Sequence, residues 1–524
     1  MTEHALRRAN QTADLLIDGL SRNPDGPALI LEDGQTISGR ELADEASRYA
    51  QALALLDLEP DARVGLLSRN RPEVVHVLNG LIFAGLCLVP LHPMGSVEDF
   101  VYIVQDCGIE CLIFDAQAYE AVAAELLRRC PGIRIALALG SSAVAPDLIA
   151  RAAAQTAAPL VAPGGDPEAI ERISYSGGTT GVPKGILLSR RAMAHTWLTQ
   201  HMEWDWPETV RSLVCTPLSH TGAAMIVPTL LRGGAVLVVD GFEPEKIMRT
   251  IERHRVSCVI MVPTMIYSLL DHPRFGAFDL SSLQSIFYGA SAISPARLRE
   301  GIEKLGPVFF QFYGQSEAPL NVTVLKRRDH DPDNLQRLAS CGRAPAGARV
   351  SLLDDAGLPV PDGTPGEICV QGPMIMSGYV NKPEETAQAL AGGWLHTGDI
   401  AVRDPDGFLR IVDRKKDMIV TGGFNVYPRE VEDVLGAHPA VAQAAVAGVP
   451  DPRWGEAVMS MVVLRDGMTV AAAELMALVR ARKGPVQTPK AILFVDAIPL
   501  SGLGKPDKKA VRAILAEHAA KGGA

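Results

Sequence analysis

The sequence predicts an α/β protein in which a large N-terminal part on mostly parallel sheets precedes a small C-terminal domain. Three observations carry this reading. A chain of 524 residues exceeds one ordinary domain and suggests two to four. Short β-rich runs alternate with helical patterns, and two of them, AVLVVD (235–240) and CVIMVP (258–263), are apolar throughout, as strands buried on both faces of a parallel sheet are. About 100 residues at the C-terminus carry an α/β pattern of their own, within the usual domain size.

The elements follow in order. ALILEDGQTIS (28–38) reads as a hairpin around Asp33-Gly34. Ser38 then caps a helix over GRELADEASRYAQALALL, with Glu41 three residues on completing a capping box. VGLLS (64–68) precedes a helix that starts at Pro72. Strands are expected up to Tyr175 and over Gly185–Leu188, and Pro244 opens the helix of a βαβ unit between the two apolar runs. Two stretches look like joints: TAAPLVAPGGDPE (156–168), rich in Pro, Gly and Ala, and the charge-laden IVDRKKDMIVTGG (411–423). Beyond the second, helices are expected over Pro428–Leu435 and Val470–Ala481, and strands over Val441–Val449, Val458–Leu464 and Ile492–Val495. No fixed-period repeat is visible.

Composition excludes several classes. At 47% hydrophobic and 21% charged, the chain can bury large cores. A formal charge of −10 argues against a general nucleic-acid or anionic-membrane surface. MTEHALRRANQTADLL has no continuous apolar core and is not a secretory signal. The apolar region Val74–Val89 is broken by His76, Asn79 and Gly85, and falls short of the roughly 20 residues that span a bilayer. The C-terminal AKGGA carries no lipidation signal. Of eight cysteines, the close pair Cys107 and Cys111 lacks further ligands for a zinc site, so reduced thiols and a cytoplasmic location are expected.

YSGGTTGVPKGILLS (175–189) has the makings of a phosphate cradle without the usual P-loop order. Gly177, Gly178 and Gly181 let backbone N–H groups turn toward an anion, Ser176, Thr179 and Thr180 add hydroxyls, and Lys184 adds a point charge. The alternative is a Gly/Ser/Thr surface turn that binds nothing. The order SGGTTGVPKG resembles the signature of the adenylate-forming enzymes: acyl-CoA synthetases, luciferases and peptide-synthetase adenylation domains.

Later motifs resemble that family in the family's order. FYGQSEAP (312–319) implies Tyr313 on adenine, Gly314 at the ATP, Ser316 at the α-phosphate, Gln315 beside the acyl group and Glu317 as a Mg²⁺ ligand. Its alternative is a tight turn capped by a glutamate. In GGWLHTGDIAVRDPDGFLRIVDRKKD (392–417), the resemblance assigns the ribose to Asp399 and Arg414, while Asp406-Gly407 reads as a hairpin turn. YGAS (288–291) gives Gly289, Ala290 and Ser291 as a wall against adenine, Gly289 also facing the acyl group. PLSHTGA (217–223) puts His220 and Thr221 beside the substrate carboxyl, or else His220 is structural. This segment has no aspartate to pair with a substrate ammonium, which disfavours an α-amino acid. PLSGLGKPDKKAVR (499–512) gives Lys505 as the lysine bridging carboxylate and α-phosphate; read alone, it would be an exposed loop lysine.

The resemblance spans roughly residues 25–512, departing at Ser219, Ser316 and the proline after Lys505. It implies an adenylation domain over 1–413, a hinge at 414–416 centred on Lys416, and a mobile α+β domain over 417–524 with Gly422 and Gly423 at a coenzyme A channel. It implies an AMP-forming acyl-CoA synthetase using ATP, Mg²⁺, coenzyme A and a hydrophobic carboxylic acid, without nucleic acid or integral membrane contact, and compatible with a homodimer. An amine or carrier-protein acceptor, and a nucleotide-binding protein without turnover, remain as alternatives.

Overall fold

The computed structural model describes residues 11–175, 183–415, 417–422, 424–500 and 506–522. An eight-stranded sheet runs Ala318–Leu325, Phe309–Gln315, Ser285–Tyr288, Cys258–Met261, Arg211–Val214, Ala235–Val238, Pro27–Ile30, Thr36–Ser38, parallel except at its two edges. A seven-stranded sheet runs Gly378–Tyr379, Gly185–Ser189, Ile170–Tyr175, Cys87–Leu91, Arg63–Leu67, Cys111–Asp115, Ile135–Leu139, antiparallel only in its first two pairings.

Local signals in the sequence set these elements. Ser38 accepts from the backbone N–H of Glu41, and Glu41 reaches back to the N–H of Ser38 at 2.8 Å, closing the capping box. Gly34 takes φ +99° in the hairpin turn. Pro72 and Pro244 open helices Pro72–Phe83 and Pro244–His254. The apolar stretch from Val74 divides into this helix, buried from Val74 to Leu81, and the strand Cys87–Leu91. No helix among the described residues is long and apolar enough to cross a membrane.

The two apolar runs form fully buried strands, but they are not neighbours. Arg211–Val214 lies between them, with Leu213 paired to both Leu237 and Val259. The helix Pro244–His254 therefore carries the chain across an intervening strand that enters earlier in the sequence.

A four-stranded antiparallel sheet follows, in the order Arg349–Leu353, Gly366–Gln371, Leu395–Arg403, Leu409–Arg414. Its last turn is the expected hairpin, with Gly407 at φ +85°. One core cluster contains Leu29, Val64, Phe310 and Leu409, so the three sheets share buried surface. From Ile419 onward the buried residues form two other clusters, around Val446 and around Met461. They surround a sheet of Phe424–Val426, Ile419–Thr421, Gly455–Leu464 and Val441–Asp451, with Ala491–Phe494 parallel to Gly455–Leu464. Polar contacts join this unit to the rest: Arg429 donates to the Ile293 carbonyl at 2.7 Å, and Arg465 lies 3.7 Å from Glu300.

All eight cysteines are free and buried, and burial pushes Cys87 and Cys111 up to about 12.

Candidate active site

The C-terminal ends of two neighbouring parallel strands carry the motifs at 289–291 and 313–317, the position where open α/β sheets place their ligands. Gly289-Ala290-Ser291 directly follows Ser285–Tyr288, beside Phe309–Gln315. A Cβ on Gly289 would stand 2.3 Å from the Phe312 carbonyl oxygen, so only glycine allows this approach. Ala290 is held at φ +64°, a strained backbone for a residue with a Cβ. Gly314 is crowded too, with its Cβ position 2.4 Å from the backbone nitrogen of Leu320. The strand then turns at the exposed Ser316 and half-buried Glu317 into Ala318–Leu325.

Three side chains converge on the buried carboxylate of Asp399. Tyr313 Oη and Gln315 Nε2 each donate to Oδ2 at 2.6 Å, and Arg414 Nε lies 3.2 Å from Oδ1. Asp399 and Arg414 are direct cross-strand partners, so the hairpin turn at Gly407 fixes their pairing. Burial pulls the Arg414 pKa down, but Asp399, Asp417, Tyr313 and Glu317 together leave it raised. Burial, then the Asp399 charge, pushes the Tyr313 phenol well above its usual range, so it donates rather than ionises. The sequence reading placed Gln315 beside the acyl group, yet here its amide holds Asp399 and the Thr397 carbonyl.

Glu317 and Lys184 meet at Tyr379, a residue the motif reading passed over. Tyr379 Oη donates to Glu317 Oε1 at 3.0 Å, and Lys184 Nζ sits 5.0 Å from the centre of the same ring. Lys184 Nζ also lies 3.4 Å from Glu385. The backbone explains the meeting: Met376 N–H donates to the Glu317 carbonyl, and Val380 N–H donates to that of Gly185. Glu317 offers a hard carboxylate oxygen, the donor type Mg²⁺ takes once or twice from a protein before phosphates and waters complete its shell, so this residue fits that ion.

His220 and Thr221 enter the short 3₁₀ turn Thr221–Met225. Ser219 Oγ lies 3.0 Å from His220 Nδ1, and the His92 ring packs edge-on against His220 at 4.7 Å between centres. His92 follows Cys87–Leu91, so each of the two large sheets contributes one histidine. Nothing local in PLHPMG marked it. Burial lowers the His92 pKa, and its Nδ1 accepts from the Met94 N–H. Asn70 fixes the loop by donating to the carbonyls of Thr216 and Val239 and accepting from the Leu218 N–H. Arg172 donates to the Ser219 carbonyl at 2.6 Å; burial draws its pKa down to about 10, so it keeps its charge at neutral pH.

Ser176, Gly177, Gly178, Thr179, Thr180, Gly181, Lys416, Gly423 and Lys505 lie outside the described residues. Both flanks of the glycine-rich segment touch Tyr102, which donates to the Pro183 carbonyl at 3.0 Å and packs edge-on to Tyr175. Gly422 takes φ +57°, its Cβ position 2.9 Å from the Trp454 ring, and its N–H donates to the Trp454 carbonyl.

Residues 18–380 match the family model described as AMP-binding enzyme, and residues 430–505 match that of the AMP-binding enzyme C-terminal domain. The chain belongs to the AMP-binding enzyme family. It is 47% identical to the medium/long-chain-fatty-acid–CoA ligase FadD8 of Mycobacterium tuberculosis, over 98% of this chain and 92% of that one. It is 36% identical to a feruloyl-CoA synthase of an Amycolatopsis species, over 92% of this chain and 95% of the relative. Among solved structures, the amide bond synthetase McbA of Marinactinospora thermotolerans is 34% identical with a TM-score of 0.89, covering 96% of this chain and 99% of that one.

Proposed function

We propose that this chain is an AMP-forming acid–CoA ligase that activates a hydrophobic monocarboxylic acid. The observation that carries the proposal is the convergence of Tyr313, Gln315 and Arg414 on Asp399, one turn of chain from Glu317. A carboxylate held by three donors is fixed in place, and the lone pair left on Oδ1 can accept from a ribose hydroxyl. Tyr313, Gly289, Ala290 and Ser291 would border the adenine, and Gly314 and Ser316 the α-phosphate. Lys184 and the 176–181 loop would hold the β- and γ-phosphates. Mg²⁺, held through Glu317, would neutralise phosphate charge.

The acid's carboxylate attacks the α-phosphorus and pyrophosphate leaves, giving an acyl-adenylate. The thiol of coenzyme A then attacks the acyl carbon, loses its proton and expels AMP. Positioning and charge stabilisation supply most of the acceleration in such a phosphorus displacement. His220 and Thr221 would flank the carboxyl, where Ser219-His220-Thr221 carries no carboxylate to pair with an ammonium. Lys505 would bridge carboxylate and α-phosphate. The reading divides the chain into an adenylation domain (1–413), a hinge (414–416) and a mobile domain (417–524), with Lys416 turning and Gly422 and Gly423 lining the thiol's approach. Buried, unpaired thiols support a reducing, cytoplasmic setting.

The test is AMP release across a carboxylic acid library with coenzyme A, an amine set or a carrier protein as acceptor. The expected result is release that requires both a hydrophobic acid and coenzyme A. Release driven by amines instead would make the enzyme an amide synthetase, and no release with any acid would leave a nucleotide-binding protein.

A further inference from the structure

Away from the Asp399 carboxylate, the four-stranded sheet gathers three metal-ligating side chains on one face. Glu367 and Cys369 stand two apart on Gly366–Gln371 and so point to the same side. His396, on Leu395–Arg403, is the direct cross-strand partner of Cys369. Cys369 Sγ lies 3.4 Å from His396 Nδ1, Glu367 Oε2 lies 3.2 Å from the same nitrogen, and the three ligand atoms all fall within 4.8 Å of one another. Tetrahedral zinc bonded at about 2.3 Å to sulfur and about 2.0 Å to nitrogen and oxygen gives ligand–ligand edges of about 3.5 and 3.3 Å.

His396 Nε2 faces the Ala391 carbonyl at 3.3 Å, which calls for a hydrogen on Nε2. In the neutral ring Nδ1 then carries the lone pair that a metal takes, on the side of Cys369 and Glu367. The Nε2–H to carbonyl bond is the outer partner that metal-bound histidines usually have. Glu367 Oε1 is likewise steadied by the Gly398 N–H at 2.9 Å. Cys369 is buried and Glu367 nearly so, while His396 is partly open to solvent, which leaves an approach for an ion.

The geometry points to a Zn²⁺ site at Glu367, Cys369 and His396. As zinc binds, the thiol proton leaves to solvent and sulfur bonds as the thiolate. One competitor is present: Lys415 Nζ lies 3.6 Å from Glu367 Oε2 and is bonded to Asp355 at 2.7 Å. Zinc and Lys415 contend for the same carboxylate oxygen, next to the segment carrying Arg414.

The experiment titrates tag-free, chelator-treated, full-length protein with Co²⁺ and then Zn²⁺. The wild type should gain a thiolate-to-cobalt charge-transfer band at one cobalt per chain, and zinc should bleach it. Cys369→Ser should lose the band. Cys369→Ser and His396→Gln should weaken zinc binding at least about tenfold, and Lys415→Ala should tighten it. Zinc should also raise the melting temperature of the wild type and not of the two ligand variants. Absence of the band in folded wild type, or its survival in Cys369→Ser, overturns the site; the wild-type spectrum decides even if a variant fails to fold.

Discussion

Around Asp399, three side chains meet one carboxylate through bonds of 2.6 to 3.2 Å, two of them sharing an oxygen. Around His220, the partners include a serine hydroxyl at 3.0 Å and the edge of a second imidazole. The first region is organised by charge, which fixes positions before any ligand arrives and suits a ligand end that never varies. The second is organised by packing and by loop anchors such as Asn70, and carries no carboxylate at Ser219-His220-Thr221. If the acid lies at His220 and the nucleotide at Asp399, as proposed, the protein can change acids without rebuilding its nucleotide site.

The strongest way to break this contrast is at the residue proposed to join both ends. Lys505→Ala should lower pyrophosphate release at least about 100-fold, the usual scale for removing a charge-stabilising donor. Thioester formation from supplied acyl-adenylate should persist, because no pyrophosphate departs in that step. Equal loss of both half-reactions would assign Lys505 a structural role.

Next in size is Asp399→Asn, which keeps the shape and removes the charge shared by Tyr313, Gln315 and Arg414. Losing one partner of a charge-assisted set costs about 2 kcal/mol, roughly thirtyfold in kcat/KM for ATP. The KM for the acid should stay nearly constant. If the acid KM rose as much as that for ATP, the two regions would not be independent. Glu317→Gln should have a smaller effect, shifting half-saturation by Mg²⁺ upward about tenfold with the fold intact. An unchanged Mg²⁺ titration would remove Glu317 from the metal.

Much of the fold was legible because its signals are local. Ser38 with Glu41, the prolines at 72, 244 and 428, and the Asp-Gly turn at 406–407 each act within a few residues and stand where the sequence put them. The order of strands was not legible: the insertion of Arg211–Val214 between two strands later in sequence depends on long-range pairing with no local mark. The site divides in the same way. Motifs named Tyr313, Glu317, Asp399 and Arg414, whereas Tyr379 and His92 enter only because distant segments meet. The Cys369–His396 pair was invisible for the same reason, since 27 residues of sequence separate what one register step joins.

The smallest expected effect tests the neutral side. His220→Ala removes one imidazole from a packed pair and the bond to Ser219, a loss of about 1 kcal/mol, so the KM for the acid should rise about fivefold with that for ATP unmoved. Protonation adds a second handle. Burial depresses the His92 pKa below the ordinary histidine value of about 6.5. A depressed folded value means that its contribution to stability is present above about pH 6.5 and is lost as pH falls through the folded value. Above pH 6.5 the ring is neutral in folded and unfolded chains alike, so the acid KM should show no titration from this residue there. Toward more acid conditions the wild type should lose stability that His92→Gln retains, read as a narrowing gap in melting temperature between the two proteins. A His92→Gln variant that tracks the wild type across that range would mean the ring is solvated, and the neutral wall proposed for the acyl side would fall with it.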